Sequence, residues 1–587
     1  MKLARSLLLV ALAGCGAPAV PAPAPAPVAA PDDGELTGPP LFEDATAASG
    51  IAFAARTGEA DANHLSILES LGTGVGLIDY NGDGLLDVYL PGGGGYAGAD
   101  KKQIVGHAGK LFRNNGQFRF EDVTAQVGLD TLAGGAPWFY SHGVAVGDYD
   151  RDGFPDLLVT GWRAVALFHN EPNGTGGRKF VDVTAKAGLG TGIAWATSAA
   201  LADLDGDGFP DLYVSQYVDW SWEKNPPCNY DGKTPDVCPP RHFNGLTHKV
   251  YLNTGKGAFA DASAGAGLVP GGPSASKGLG VLVFDADGDR KPDVYAANDT
   301  VDNFFYLNAS EKGAIRFRER GLETGVARDD RGNPNGSMGV AAGDPARTGR
   351  PALWVTNYEN ELHGLYLNEC KPGRAGFNFA TTTSGIAAVG QKYVGWGTAF
   401  LDADRDGHED LFVANGHAIR FPTGKASNRP QKPLLLLNRG GAKYRAASAR
   451  IGAYAATPRV ARGAAFGDLD NDGRTDIVIA HANEPVVVLR GIGNPDAHWI
   501  GVKLADRTGA CVVGAKVKWE SKGGTQTRFA VAGGSFASSG DRRLLFGLGG
   551  DTTGTLTVTW PDGTEQALAH LAIDKYHELA RPARKEP

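Results

Sequence analysis

Six acidic nonapeptides and one worn copy of the same phrase are spread along a chain of 587 residues. That repetition limits the fold more than any other feature, because a short repeated unit must bury its apolar face against its neighbours. The copies are Asp79–Asp87 (DYNGDGLLD), Asp148–Asp156 (DYDRDGFPD), Asp203–Asp211 (DLDGDGFPD), Asp285–Asp293 (DADGDRKPD), Asp402–Asp410 (DADRDGHED) and Asp468–Asp476 (DLDNDGRTD). The worn copy, Asp344–Ala352 (DPARTGRPA), fills the one long gap. A small-residue strand pattern precedes each nonapeptide and an apolar one follows it, as in GVAVG and DLLVT around the second copy. A third stretch ends in Asn in six copies, at Asn114, Asn170, Asn253, Asn308, Asn368 and Asn438, and reads Leu489-Arg490 in the seventh. A fourth phrase, built on Phe-x-Asp-x-Thr, recurs at Phe42, Phe120, Phe180 and loosely Phe259, with fainter echoes at Phe317, Phe379 and Tyr444.

Four short strands in each of seven units predict an all-β fold, a seven-bladed β-propeller over residues 41–494. A flat solenoid is the rival, but no distinct capping repeat stands at either end. No fourth strand follows Arg490, whereas one stands spare at Phe42–Thr46. The start of the chain is therefore expected to complete the last blade beside residues 463–490 and hide the edges an open array would expose. Composition agrees: Gly takes 84 positions and Met only 2, which suits tight turns between strands rather than helical bundles. The net charge of −8, without a basic block, speaks against nucleic acid as a partner.

The pattern D-x-[DN]-x-D-G-x-x-D offers carboxylate or amide oxygens at positions 1, 3, 5 and 9 and a backbone carbonyl at 7. Ca²⁺ takes six to eight oxygens, and an EF-hand loop opens with the same rhythm. The expected ligand sets are Asp79, Asn81, Asp83, Leu85 and Asp87; Asp148, Asp150, Asp152, Phe154 and Asp156; and Asp203, Asp205, Asp207, Phe209 and Asp211. The later sets are Asp285, Asp287, Asp289, Lys291 and Asp293; Asp402, Asp404, Asp406, His408 and Asp410; and Asp468, Asp470, Asp472, Arg474 and Asp476. Glycine at position 6 permits the sharp turn. Arg290 replaces it in the fourth copy and Asn81 replaces a carboxylate in the first, so these two sites are the weaker ones. The worn copy keeps only Asp344 and Gly349 and is expected to hold no metal. Solvated Asx turns are the bland alternative, but so many carboxylates packed without a cation would repel one another. About six Ca²⁺ ions would offset a mature charge of −10, reached once Lys2 and Arg5 are lost from the −8 chain.

The first residues, MKLARSLLLVALAGC, carry Lys2 and Arg5, an apolar stretch and Leu12-Ala13-Gly14-Cys15, which reads as a secretory signal over 1–14. The tetrad resembles the bacterial lipobox, which implies acylation of Cys15 and, with Gly16 next, the outer membrane. Ala17–Pro31 is a Pro/Ala-rich tether within residues 15–40. No later apolar run is long enough to span a bilayer. Cys228 and Cys238 bracket a Pro-rich loop and suit a disulfide in an oxidising compartment. A zinc site with His242 and His248 is the alternative, and pairing of Cys370 with Cys511 stays open.

From about Pro495 the nonapeptides give way to alternating strands, Ile500, Val502 and Leu504 then Leu556, Val558 and Trp560, predicting a small β-sandwich over 495–582. The nonapeptide units resemble FG-GAP/VCBS repeats. The tail, with Gly514-Ala515-Lys516-Val517, Phe546-Gly547-Leu548-Gly549 and Val558-Thr559-Trp560-Pro561-Asp562-Gly563, resembles an ASPIC/UnbV domain. The combination is similar to the cartilage acidic protein family. Such propellers occur in integrin heads, lectins and polysaccharide lyases, so the resemblance implies an architecture without naming a ligand.

No G-x-S-x-G, H-E-x-x-H or P-loop occurs, and no catalytic residue is singled out. Residues ahead of the inner strands (His142, Trp195, Lys277, Asn335, Trp396, Arg462) and after the second strands (Asn357, Asn415, His417, with Trp220 and Trp222) are candidates for a ligand face at one end of the channel. Rings beside amides suit a glycan. The leading expectation is a calcium-stabilised, membrane-anchored binding or adhesion module for a glycan or an envelope protein. The alternatives are a polysaccharide lyase using Lys277 or His142 as base, and an envelope scaffold without a small ligand.

Overall fold

Every nonapeptide joins the first two strands of a four-stranded antiparallel array in the computed structural model, which describes residues 34–371, 376–424 and 427–582. The signal, Cys15 and most of the tether lie outside the described residues. The innermost strands are Gly76–Ile78, Ser141–Gly147, Ala196–Ala202, Gly278–Phe284, Val340–Gly343, Gly395–Leu401 and Ala461–Gly467. Each lies against the next, and the seventh lies against the first. Their small residues are steric necessities: a Cβ on Gly280 would sit 2.3 Å from the Met338 carbonyl oxygen, and one on Gly339 1.9 Å from that of Trp396.

The fourth phrase supplies the outermost strand of all seven sheets, including its faint echoes at Phe317–Glu319, Phe377–Phe379 and Tyr444–Ala446. Phe42–Asp44 pairs antiparallel with Val487–Gly491, Phe42 opposite Gly491 and Asp44 opposite Leu489. The start of the described chain thus completes the last sheet, as the count of strands required.

The recurrent Asn is a clamp between neighbouring sheets. In every copy but the fifth, where position 9 is Ala352, its backbone N–H donates to the position-9 Asp of its own nonapeptide, as from Asn253 to Asp211 at 2.8 Å. Its side-chain amide donates to two carbonyls: Asn253 Nδ2 reaches Pro210 O at 2.9 Å and, in the preceding nonapeptide, Tyr149 O at 2.8 Å. Asn170, Asn308, Asn368 and Asn438 repeat this reach to Tyr80, Leu204, Ala286 and Pro345. Asn114 bonds Leu469 O at 2.8 Å, joining the first sheet to the last. In the seventh copy the equivalent position is Gly491, whose N–H bonds Asp476, rather than Arg490. Asn253→Ala strands two buried carbonyls, so urea denaturation should show a loss of about 2–4 kcal/mol, whereas an unchanged midpoint would deny the clamp its role.

Beyond residue 495 a three-stranded sheet (Leu544–Gly549, His498–Ala505, Tyr576–Ala580) and a four-stranded one share a core of Ile500, Val502, Val517, Trp519, Phe546, Val558 and Trp560. The tail is not a free-standing appendage: from Glu35 on, the chain coheres as one unit. The cause is a finger, residues 532–541 (AGGSFASSGD), that leaves the tail and runs among the innermost strands. It bonds to all seven. Ser539 N–H donates to Val75 O at 2.8 Å, Val144 N–H donates to Ala537 O at 3.1 Å, and Ala537 N–H donates to Ser198 Oγ at 3.1 Å. Gly534 N–H reaches Val281 O at 2.8 Å, Ser535 exchanges backbone bonds with Val340, and Ser535 Oγ bridges Thr398 N–H and Ala464 O.

Candidate metal centres

The seven loops share one backbone path. Position 6 has positive φ throughout, from Gly84 (85°) to Gly473 (80°), and Arg290 is forced there in the fourth copy (75°). Position 4 is left-handed as well, with Gly82, Arg151, Gly206, Gly288, Arg347, Arg405 and Asn471 all between 53° and 80°. Its identity varies from Gly to Arg to Asn, so no sequence pattern marks it. The position-1 carboxylate accepts backbone N–H groups from within the turn. Asp203 takes Gly206 N–H at 2.8 Å and Gly208 N–H at 2.9 Å, while Asp207 takes Phe209 N–H at 2.8 Å.

The position-9 Asp is buried at the root of the hairpin. In Asp211 one oxygen accepts Leu204 N–H at 2.9 Å and the other accepts Asn253 N–H at 2.8 Å. Asp205 N–H also reaches the first oxygen at 3.3 Å, while the second keeps a lone pair for an ion, so this residue knits strands as well as offering a ligand. Three carboxylates, Asp203, Asp205 and Asp211, converge within 4.8 Å, as do Asp148, Asp150 and Asp152; Asp285, Asp287 and Asp289; and Asp402, Asp404 and Asp410.

Burial pushes several of the loop carboxyls upward, and acidic neighbours push further. Asp203 and Asp285 rise to about 6, Asp148 and Asp468 to about 7, and Asp211 and Asp402 to about 8. Two carboxylate oxygens, Asp404 Oδ1 and Asp470 Oδ1, are buried with no hydrogen-bond partner. Raised carboxyls and orphaned oxygens on an oxygen-only ligand set fit a divalent cation of the Ca²⁺ type. The worn loop differs. Asp344 accepts Thr348 and Gly349 N–H at 2.7 Å each, and Arg347 turns toward the acidic sixth loop, where its guanidinium feels Asp406 and Asp402.

His169, on the strand before Asn170, was not marked by the nonapeptide pattern. Its Nδ1 lies 3.2 Å from Asp156 Oδ1 and 3.5 Å from Asp150 Oδ2. The tail covers the same end of the array: Arg151 pairs with Asp506 at 2.5 Å, Tyr576 donates to Asp468 at 2.8 Å and Arg543 donates to Asp468 O at 2.6 Å.

The channel-mouth candidates do not assemble an open site. Ten of the eleven are buried, Asn335 being the most exposed of these at 4%, and Trp222 alone is partly open. Trp195 and Trp396 share a core with Phe536 of the finger, with Ile67, Leu68 and Leu71, and with Val237, Cys238 and Phe243 of the Pro-rich loop. Arg462 lies 4.3 Å from the Trp396 ring centre and donates to Ser70, Ala461, Gly416 and His417 carbonyls. Asn357 donates to Leu362 O and Asn415 to Lys432 O. His417 Nε2 faces Glu359 at 3.2 Å. His142 is sealed under Trp195 with its imidazole pushed by burial down to about 4, and Lys277 is likewise buried with its ammonium lowered. These residues fix loops from remote segments over the channel instead of facing a ligand.

Cys228 and Cys238 form a disulfide, so the zinc alternative lacks its thiolates, and Cys370 and Cys511 are both free. What remains partly open at the end opposite the metal loops is aromatic. Trp162 and Trp222 flank the buried Trp220 at ring distances of 6.1 and 5.0 Å. His64 sits 4.7 Å from Trp222, and Arg163 covers Trp162 at 4.4 Å. Among the described residues no helix is long and apolar enough to cross a membrane.

A model of FG-GAP-like repeats matches residues 79–159, 148–214 and 402–479, and one described as ASPIC and UnbV matches 506–586. Cartilage acidic protein 1 of Mus musculus is 25% identical over 413 residues, covering 68% of this chain and 57% of the relative. That of Homo sapiens is 25% identical over 371 residues, covering 62% and 50%. The chain thus spans about half the length of these relatives. A solved structure titled for recognition of non-reducing terminal N-acetylglucosamine by an Agrocybe aegerita lectin aligns at TM-score 0.37 and 16% identity, over 70% of this chain and 87% of that one.

Proposed function

We propose that this chain, which joins FG-GAP-like repeats to an ASPIC/UnbV domain and is homologous to cartilage acidic protein 1, is a Ca²⁺-stabilised seven-bladed propeller, capped by a small β-sandwich over 495–582, that binds a glycan or protein partner outside the cell. About six Ca²⁺ ions occupy the intact nonapeptides and leave the worn loop empty. The ions neutralise one end of the ring, the sandwich covers that end, and recognition falls to the other. The observation that carries the binding role is the half-exposed aromatic run Trp162, Trp222 and His64 on a frame held rigid from the centre. Apolar sugar faces stack on such rings, and each ring contributes on the order of 1 kcal/mol or more. A glycan array probed with calcium-loaded protein should give defined hits that Trp222→Ala weakens at least several-fold. A flat array together with specific capture of envelope proteins would favour the scaffold reading.

Acylation at Cys15 anchors the protein to the outer membrane, with the Pro/Ala tether lifting the propeller from the surface. Cys15→Ser should abolish incorporation of labelled fatty acid and move the protein from the membrane fraction to the soluble one. Equal labelling of both forms would remove the anchor.

A further inference from the structure

The residue just before the clamp Asn of the third strand differs between copies, and in the second and seventh it lies beside the carboxylates of its own metal loop. It is Leu252, Leu307 and Leu437 in the third, fourth and sixth copies, His169 in the second and Arg490 in the seventh. Leucine adds no ligand and leaves an all-oxygen loop. Arg490 places its guanidinium 2.8 Å from Asp470 and 3.7 Å from Asp472, so the seventh loop is partly neutralised by the protein's own cation. His169 does something chemically different, since its ring nitrogen is brought among the carboxylates that would hold the ion.

We propose that the second loop is a mixed nitrogen–oxygen centre, Asp150, Asp156 and His169, selective for a first-row divalent ion of the Zn²⁺ type. The inference rests on the reading of the nonapeptides as metal loops and adds a distinct metal at one of them. Nδ1 and one oxygen from each carboxylate lie within 4.8 Å of one another. The 3.2 Å from Nδ1 to Asp156 Oδ1 and the 3.5 Å to Asp150 Oδ2 match the roughly 3.3–3.6 Å between tetrahedral ligands held about 2.0–2.2 Å from a shared ion, the distances Zn²⁺ adopts with His and Asp. Ca²⁺ and Mg²⁺ select oxygen, whereas imidazole shifts preference toward Zn²⁺ and its neighbours.

The surroundings support the ring's placement. Tyr149 meets His169 edge-on at 6.0 Å, which limits its rotation. Asp156 is fixed by the N–H groups of Tyr149 at 3.1 Å and Asn170 at 2.8 Å, an outer shell of the sort that orients a ligand. A cavity of about 500 Å³, lined by Asp150, His169, Glu171, Asp182 and Lys186, opens onto the site and gives an ion a way in.

The test uses the full mature protein stripped with chelator, dialysed against excess Ca²⁺ with micromolar Zn²⁺, and assayed by elemental analysis and by calorimetric titration with Zn²⁺. The expected result is one tightly held Zn²⁺ beside several Ca²⁺. His169→Leu, which installs the residue of the third, fourth and sixth copies, should weaken that Zn²⁺ on the order of 100-fold and leave the other Ca²⁺ ions in place. Retention of those ions also shows that the variant folds. Substituting Co²⁺ gives a second readout, an absorption band that His169→Leu removes. Full Ca²⁺ occupancy with no Zn²⁺ dependence on His169 would overturn this proposal alone and leave an imidazole–carboxylate ion pair. Absence of both metals would overturn the parent reading too.

Discussion

Stripping divalent ions from the protein should lower its melting temperature by roughly 15–20 °C, and readdition of Ca²⁺ should restore it. A ligand held at about a thousand times its Kd contributes about 4 kcal/mol per site. Five or six such loops then contribute about 20 kcal/mol, set against an unfolding entropy near 1.2 kcal/mol/K for a chain of about 550 ordered residues. The pH dependence has a definite sign. In the metal-free fold the carboxyls of Asp203, Asp148 and Asp402 stand at about 6, 7 and 8, all raised by burial. Between the ordinary carboxylate range and those values the folded state holds more protons than the unfolded one. Stability therefore falls as pH rises through that window. In chelator the melting temperature should drop steadily from about pH 4.5 to pH 8, and the increment restored by Ca²⁺ should grow over the same range. A chelated protein that melts like the loaded one, or gains stability toward pH 8, would contradict occupied metal loops.

The parts legible in the sequence were those written locally and repeatedly. The nonapeptide fixes its own turn because the position-1 carboxylate accepts N–H groups three to five residues on, as Asp203 does from Gly206 and Gly208. Strand order followed from recurrent phrases, and the pairing of Phe42–Asp44 with Val487–Gly491 followed from counting them. The channel-mouth residues look ligand-facing in sequence because their covers are far off along the chain. Arg462 is closed over by Ser70, and Trp396 by Phe536. His169 was missed because it stands thirteen positions beyond Asp156, on another strand, where one histidine among leucines and arginines has no local meaning. The finger escaped for the same reason. A run of Gly, Ser and Ala reads as a loop until the seven strands that receive it are in place.

That finger makes the tail part of the propeller's centre, and crowding there should dominate the effect of single substitutions. Gly74 lies just ahead of the first innermost strand, with its backbone outside the positive-φ region, so space alone requires it. A Cβ at that position would lie 1.7 Å from the Ala537 carbonyl oxygen and 2.3 Å from its carbon, both backbone atoms that cannot rotate aside. Gly463 is pressed likewise against backbone, with the Gly74 Cα at 2.4 Å and the Thr73 carbonyl oxygen at 2.8 Å from a Cβ there. Gly74→Ala must displace the finger and break the bonds that Ser535, Ala537 and Ser539 make across the ring, for a loss of at least about 4 kcal/mol. Phe536→Ala, which empties a fully buried site against Trp396, should cost about 3–5 kcal/mol. Gly376→Ala is the control, because a Cβ there meets nothing within 4 Å. Ending the chain after Asn494 removes the finger altogether, and the seven sheets should then lose their single cooperative transition and expose their central strands to protease. A truncated ring that melts as one unit near the intact protein's temperature would show that the sheets close without their axle, and the tail would revert to an appendage.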